Sequence, residues 1–242
     1  MNKNSPMSRL KRAVKQQVKA GNVKRSLHWF ASGHFVRSVK IRIWLSRAGA
    51  HYLQIGGGRH DKSSQGWING DVIAGNIYIN AARRLPIPDQ SVDAVFTEQF
   101  FEHLSEADGQ RFVSEVYRVL KRGGVLRQST PDLAKLAEIY LDTSPIVSRR
   151  AAIERHMRNH RRTSVDEPLG PAQFMNDFFR LWGHKFVYDR SYLESLHRRI
   201  GFANLRWVLF GKSEKPDLEG LERHADEAWM PEGFIMISEA IK

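Results

Sequence analysis

Three consecutive glycines, Gly56, Gly57 and Gly58, follow directly on the run His51–Ile55, and Asp71 closes the next apolar stretch. Residues without a Cβ let the backbone approach a ligand closely and adopt left-handed angles. An acid at the end of a second strand can accept both hydroxyls of a ribose. In open α/β sheets, ligands bind beyond the carboxyl ends of the strands, where such a loop and such an acid would meet. The loop is not a dinucleotide fingerprint. That pattern needs glycine at its first, third and sixth positions, and counting from Gly56 gives Gly58 and then Asp61. The Walker phosphate-binding pattern is absent as well. A nucleoside without a pyrophosphate therefore suits this loop better than a nicotinamide or flavin cofactor.

The elements that must position these residues alternate along the chain. Strands are expected at His51–Ile55, Trp67–Asn69, Ile77–Asn80, Val92–Phe96 and Val125–Gln128. Ala107–Leu120 has a helical apolar side (Phe112, Val113, Val116, Val119), and Gly123 and Gly124 are expected to stop it. Further helices are expected at Leu133–Tyr140 and Ser191–Arg199, the latter with Gly201 just past its end. Leu205–Phe210 and Phe234–Ala240 fit an antiparallel closing pair. This alternation predicts an α/β fold with a doubly wound, seven-stranded, mostly parallel sheet. One connection is short: eleven residues separate the first strand from Trp67, where a parallel crossover usually needs a dozen or more. Any helix there must be about two turns or distorted.

Charge divides the chain. Residues 1–48 hold twelve basic and no acidic side chains, whereas the remainder holds 26 of each. The formal charge of +12 thus belongs to a basic N-terminal helical extension, and the body from 49 to 242 is neutral. Leu10, Val14 and Val18 recur at helical spacing between lysines and arginines. A second segment interleaves Leu27, Trp29, Phe30, Phe35, Ile41, Ile43 and Trp44 with basic residues. This segment reads as a helical cap packed on the domain, or as a surface for an anionic membrane, an acidic partner or, less in keeping with the neutral body, nucleic acid. A second departure, at about 144–182, is rich in arginine and histidine and reads as a helical lid over the carboxyl end of the sheet. Its His156 and His160 lie one helical turn apart, but Glu154 does not share their face, so no metal site is expected. The absence of cysteine removes disulfides, thiolate metal sites and cysteine nucleophiles from consideration. No run approaches the roughly 18 apolar residues of a membrane span, and no signal peptide is apparent, so a cytoplasmic, at most membrane-peripheral, protein is expected.

With these pieces placed, the sequence resembles the class I S-adenosylmethionine-dependent methyltransferases, specifically the bacterial small-molecule type. The matching stretches are Leu53-Gln-Ile-Gly-Gly-Gly58, Gly66-Trp-Ile-Asn-Gly-Asp71, Leu85-Pro-Ile-Pro-Asp-Gln-Ser-Val-Asp93, Glu98-Gln-Phe-Phe-Glu-His-Leu104, Arg118-Val-Leu-Lys-Arg-Gly-Gly124 and Gly183-His-Lys-Phe-Val-Tyr-Asp189. The resemblance covers roughly residues 50–242 and implies S-adenosyl-L-methionine as cofactor on a Rossmann-like fold. It implies that Gln54, Gly56, Gly57 and Gly58 hold the methionine part of the cofactor and that Asp71 takes the ribose hydroxyls. Asn80, with Ala81 beside it, stands where the family usually has an acid near the adenine, and Gly57 stands where a cysteine or alanine is usual. Glu98 and Gln99 would end the fourth strand beside the methyl group, and His103 would close the turn that follows.

Methyl transfer from a sulfonium needs mostly alignment and exclusion of water. For a hydroxyl or carboxylate acceptor a base can help, and His103 and His184, with an ordinary pKa near about 6.5, suit that role. Glu98 is the remaining catalytic candidate, although it could equally orient the cofactor's ammonium. The arginines between Arg149 and Arg162 read as a solvated face, or as a lid that binds an anionic acceptor such as a sugar acid or a phosphorylated glycan carrier. The Asn/Asp-Pro-Pro-Tyr/Phe turn of nucleic-acid amino-methylating relatives is replaced here by Thr97-Glu-Gln-Phe-Phe101, which disfavours base methylation. The expected function is methyl transfer to a small-molecule or glycan-type acceptor. The alternatives are a binding protein that keeps the cofactor but has weakened catalysis, and an RNA methyltransferase served by the basic N-terminus.

Overall fold

In the computed structural model of the protein, the described residues are 34–58, 60, 62, 65–141, 171–180, 182–223 and 234–242. The basic segment around Leu10–Val18 and the arginine-rich stretch from Arg149 to Arg162 lie outside them. Helix α1 (His34–Leu45) leads into β1 (Tyr52–Ile55), β2 (Trp67–Asp71), β3 (Ile77–Tyr78) and β4 (Val92–Glu98). A 3-10 turn (Phe101–His103) precedes α2 (Glu106–Val119), β5 (Leu120–Pro131) and α3 (Leu133–Leu141). Then come α4 (Pro171–Arg180), α5 (Arg190–Ile200), β6 (Asn204–Val208), a second 3-10 turn (Pro216–Leu218) and β7 (Ile235–Ile241).

The seven strands form one sheet in the order β3-β2-β1-β4-β5-β7-β6. All neighbours are parallel except β7, which runs antiparallel to both β5 and β6. The expected seven-stranded architecture is therefore present. The order reverses between β1 and β4, and β1's carboxyl end carries the three glycines. Several boundaries move by a few residues. Gly70 and Asp71 are the last two residues of β2 rather than following it, and β3 stops at Tyr78, short of Asn80. The α2 helix ends at Val119, so Leu120 already pairs with Val92 and the Gly123–Gly124 turn lies within the strand segment. Ser105 caps α2 by accepting from the Asp108 amide, and Gly201 at φ +111° ends α5.

Alternation along each strand makes two unlike faces. On one face Leu53, Ile55, Ile68, Val95 and Leu126 join α1 (Ile41, Trp44), α2 (Phe112, Val113, Val116, Val119) and α5 (Leu193, Leu196) in the main apolar core. The described part of the N-terminal segment thus packs on the domain through Ile41 and Trp44. On the other face Trp67, Ala94, Phe96 and Val125 meet Leu218 and Leu221 from the connection between β6 and β7. Among the described residues between β1 and β2 none is α-helical. The β6–β7 connection, a strap over residues 209–223, crosses the second face of the sheet.

The strap is held by charge. Arg127 of β5 is fully buried and grips Glu222 of the strap in bidentate fashion (Nε to Oε1 2.6 Å, Nη2 to Oε2 2.8 Å). Its third nitrogen reaches Glu239 of β7 at 2.5 Å and the Lys212 carbonyl at 2.9 Å. Burial disfavours the guanidinium charge, but the two glutamates outweigh that and hold its pKa above the ordinary value. At the opposite end of the face, the Tyr52 hydroxyl donates to Asp217.

Candidate active site

The glycine loop is shaped by its own side chains. Gly56 has φ +77°, and a Cβ there would collide with the Phe100 ring at 2.1 Å. That ring, from just beyond β4, lies directly on the loop's first residue. Gly57 is closed in from the other side, because a Cβ would fall 2.5 Å from Gln54 Nε2 and 3.0 Å from Asn69 Oδ1. The glycine that stands in place of the family's small residue thus makes room for two amide side chains. Gln54 uses its amide on the loop itself: Nε2 donates to the His60 carbonyl at 3.0 Å, and Oε1 accepts from the Lys62 amide at 2.9 Å. Asn69 Nδ2 reaches the Gly58 carbonyl at 3.4 Å.

Asp71 stands opposite. Its Oδ2 accepts from the Gly58 amide at 3.0 Å, and its Oδ1 accepts from the Ile73 amide at 2.6 Å. A carboxylate oxygen accepts more than one donor, so both retain capacity for ligand hydroxyls. The glycine loop and Asp71, which the sequence paired, are therefore in direct contact. Asn80 Oδ1 accepts from the Ala82 amide at 3.1 Å, and Ala81 is buried beside it. Both follow β3 at the same end of the sheet.

The three catalytic candidates fall into two groups. Glu98, the last residue of β4, accepts from the Arg223 amide at 2.6 Å, and the Arg223 guanidinium in turn meets the His60 imidazole. The strap that covers the second face therefore ends on both the tip of β4 and the glycine loop. Neither Arg223 nor His60 stands out in the sequence; a charged loop and a loop histidine carry no periodic signal.

His103 and His184 form the other group, with ring centroids 5.0 Å apart in an edge-to-face arrangement. They meet because the Glu102 carbonyl accepts from the Lys185 and Phe186 amides, which stitches the 183–186 segment to the 3-10 turn. His184 donates through Nδ1 to the Phe178 carbonyl of α4 at 2.7 Å, and Phe178 and Trp182 pack around its ring. Burial, with His103 adding to it, lowers its pKa to about 4. Burial also lowers that of His103, against a hydrogen bond to the Gly183 backbone that favours the charged form. Both rings are uncharged near neutral pH. Tyr188 anchors the assembly: it stacks on Phe101 at 4.3 Å, and Gly109 of α2 leaves room for its hydroxyl.

The strand order, the glycine turn at the point of reversal and the acid ending β2 make a Rossmann-like α/β fold of the kind found in methyltransferases. Comparison with known proteins agrees: residues 60–127 match the family model described as a methyltransferase domain. That match spans 68 of the 242 residues, so the likeness to methyltransferases rests on this segment and on the fold. A probable S-adenosylmethionine-dependent methyltransferase of Mycolicibacterium smegmatis is 54% identical over 48 residues, which is 20% of this chain and 18% of that protein. A protein of the same description from Mycobacterium tuberculosis is 52% identical over 48 residues, 20% of this chain and 17% of its own length. The chain thus matches less than a fifth of the length of these curated relatives. A crystal structure of a SAM-dependent methyltransferase from Archaeoglobus fulgidus superposes with a TM-score of 0.50, over 85% of this chain and 92% of that one. At 14% identity it shares the fold.

Proposed function

We propose that this protein transfers a methyl group from S-adenosyl-L-methionine to a small-molecule or saccharide acceptor. The observation that carries the reading is the contact between Asp71 and the Gly56–Gly58 turn at the carboxyl end of the sheet. In this reading Gly56, Gly57 and Gly58 line the methionine part of the cofactor, while Gln54 fixes the loop. Asp71 accepts from the ribose, and Asn80 and Ala81 flank the adenine. Glu98 lies beside the methyl donor, tied to the strap through Arg223. His103 and His184, both neutral, offer imidazole lone pairs on the acceptor side.

The acceptor is proposed to be anionic, from the arginines at Arg149–Arg162. Membrane association is part of the same proposal. Val36, Val39 and Ile43 recur on one exposed side of α1, on a segment whose twelve basic residues are balanced by no acid. Among the described residues no helix is long and apolar enough to cross a membrane, so contact would be at the surface. Calorimetric titration with S-adenosylhomocysteine tests the cofactor reading. Binding by the wild type, with loss of at least about tenfold in Asp71→Ala, is the expected result, each tenfold being about 1.4 kcal/mol. Unchanged binding in that variant would remove the reading's main support.

A further inference from the structure

We propose that Glu102, His103 and His184 form a binding site for one divalent transition-metal cation, of the zinc or cobalt kind. Among the described residues, these three bring one carboxylate oxygen and two imidazole nitrogens within 4.8 Å of one another. Tetrahedral coordination at about 2.1 Å spaces ligand atoms about 3.4 Å apart.

Three features beyond proximity point to a cation. First, His184 spends Nδ1–H on the Phe178 carbonyl, which fixes its tautomer and leaves the lone pair on Nε2. The hydrogen bond from His103 to the Gly183 backbone orients the second ring in the same manner. Metal-ligating histidines are characteristically held this way, with the far nitrogen committed to a backbone oxygen. Second, the Lys185 and Phe186 amides donate to the Glu102 carbonyl, so the segment carrying His184 is stitched to the turn that carries Glu102 and His103. Third, the Glu102 carboxylate is fully buried, and Thr130 of β5 donates to its Oε2 at 3.0 Å, a positioning contact of the kind that flanks ligating carboxylates. Among the described residues, Lys185 is the cation that acts on His103, and it is exposed.

Two imidazoles and one carboxylate on neighbouring elements leave coordination positions open, and such donor sets suit zinc, cobalt, iron or manganese rather than calcium. The open positions would take an oxygen donor of the acceptor. That assignment rests on the methyl-transfer reading, but metal binding itself does not.

The test uses the full chain, stripped with a chelator and titrated calorimetrically with zinc and cobalt salts, with no S-adenosyl compound present. One cation per chain is expected. His103→Ala and His184→Ala should each weaken binding by about 100-fold or more, and Thr130→Ala by about tenfold, whereas His51→Asn should leave it unchanged. Because His184 also caps Phe178, its variant could unfold, so a second measurement uses the wild type alone. Cobalt should broaden the imidazole proton resonances of His103 and His184 before those of other histidines. Absence of binding, affinity indifferent to both histidine substitutions, or broadening confined to other histidines would overturn the site. A protein that binds zinc here but not S-adenosylhomocysteine would sink the cofactor reading and leave the metal site standing; the reverse outcome would do the opposite.

Discussion

The two faces of the central sheet are closed by different means. One is dry and helical: α1, α2 and α5 set Ile41, Phe112, Val116 and Leu193 against Leu53, Val95 and Leu126. The other is crossed by an irregular strap, in which Leu218 and Leu221 supply the apolar contact and a buried Arg127 between Glu222 and Glu239 supplies the hold. A helix brings its own backbone partners and an apolar stripe. An irregular segment does not, so its attachment here falls on side-chain ion pairs whose desolvation is costly. The helical face can lose a contact and relax locally. The strapped face leans most on one guanidinium, and its far end is in the candidate site.

The largest effect should come from Arg127→Met. It leaves two glutamates buried without their partner, and urea denaturation should show a loss of about 3–5 kcal/mol. The fraction still folded should also bind S-adenosylhomocysteine more weakly, because Glu222 precedes Arg223, which holds Glu98. Leu196→Ala on the helical face, buried on α5, should cost a similar or slightly smaller amount, about 2–5 kcal/mol. It should leave the affinity of the folded fraction unchanged, and a matching loss of affinity would erase the contrast between the faces. Leu221→Ala is expected at about 2–4 kcal/mol, with a modest loss of affinity. The sharpest version replaces Arg127, Glu222 and Glu239 together by apolar residues of similar volume. Stability should then return to within about 1–2 kcal/mol of the wild type, if desolvation has been assigned correctly.

The smallest effect is one of pH. His197 on α5 is buried on the helical face, where burial lowers its pKa to about 4, and His184 is lowered to a similar value. The unfolded chain takes up these protons near about pH 6.5 and the folded chain only near 4. Stability is therefore fully present above about 6.5 and falls as pH drops toward 4. A thermal-melt series over that window should show the decline, and His197→Leu should flatten part of it. An unchanged slope would mean that His197 does not contribute.

The strands and helices were legible because their periodicity is local. The α2 helix carries Phe112, Val113, Val116 and Val119 on one side, and β7 pairs where the closing strand was expected. The glycine turn and Asp71 were legible for the same reason, each sitting at the end of a readable strand. The strap was not. Residues 209–223 have no repeating pattern, and an arginine in a strand gives no sign that it will be buried until its two glutamates are placed. The His103–His184 contact is equally a product of tertiary structure, made by two amides of the 183–186 segment on the Glu102 carbonyl. Asn69 lay inside a recognisable stretch, but its packing against Gly57 depends on how β1 and β2 register.

Glu222 and Arg223 are adjacent, yet one locks the strap to the sheet while the other touches the tip of β4 and His60, just beyond the glycine turn. On the proposed cofactor reading, occupancy of the cleft and integrity of the strap are coupled thermodynamically. A ligand present at a hundred times its dissociation constant adds about 2.7 kcal/mol to whatever keeps that segment closed. Proteolytic nicking within 209–223 would serve as a built-in occupancy gauge, slowing as the cleft fills.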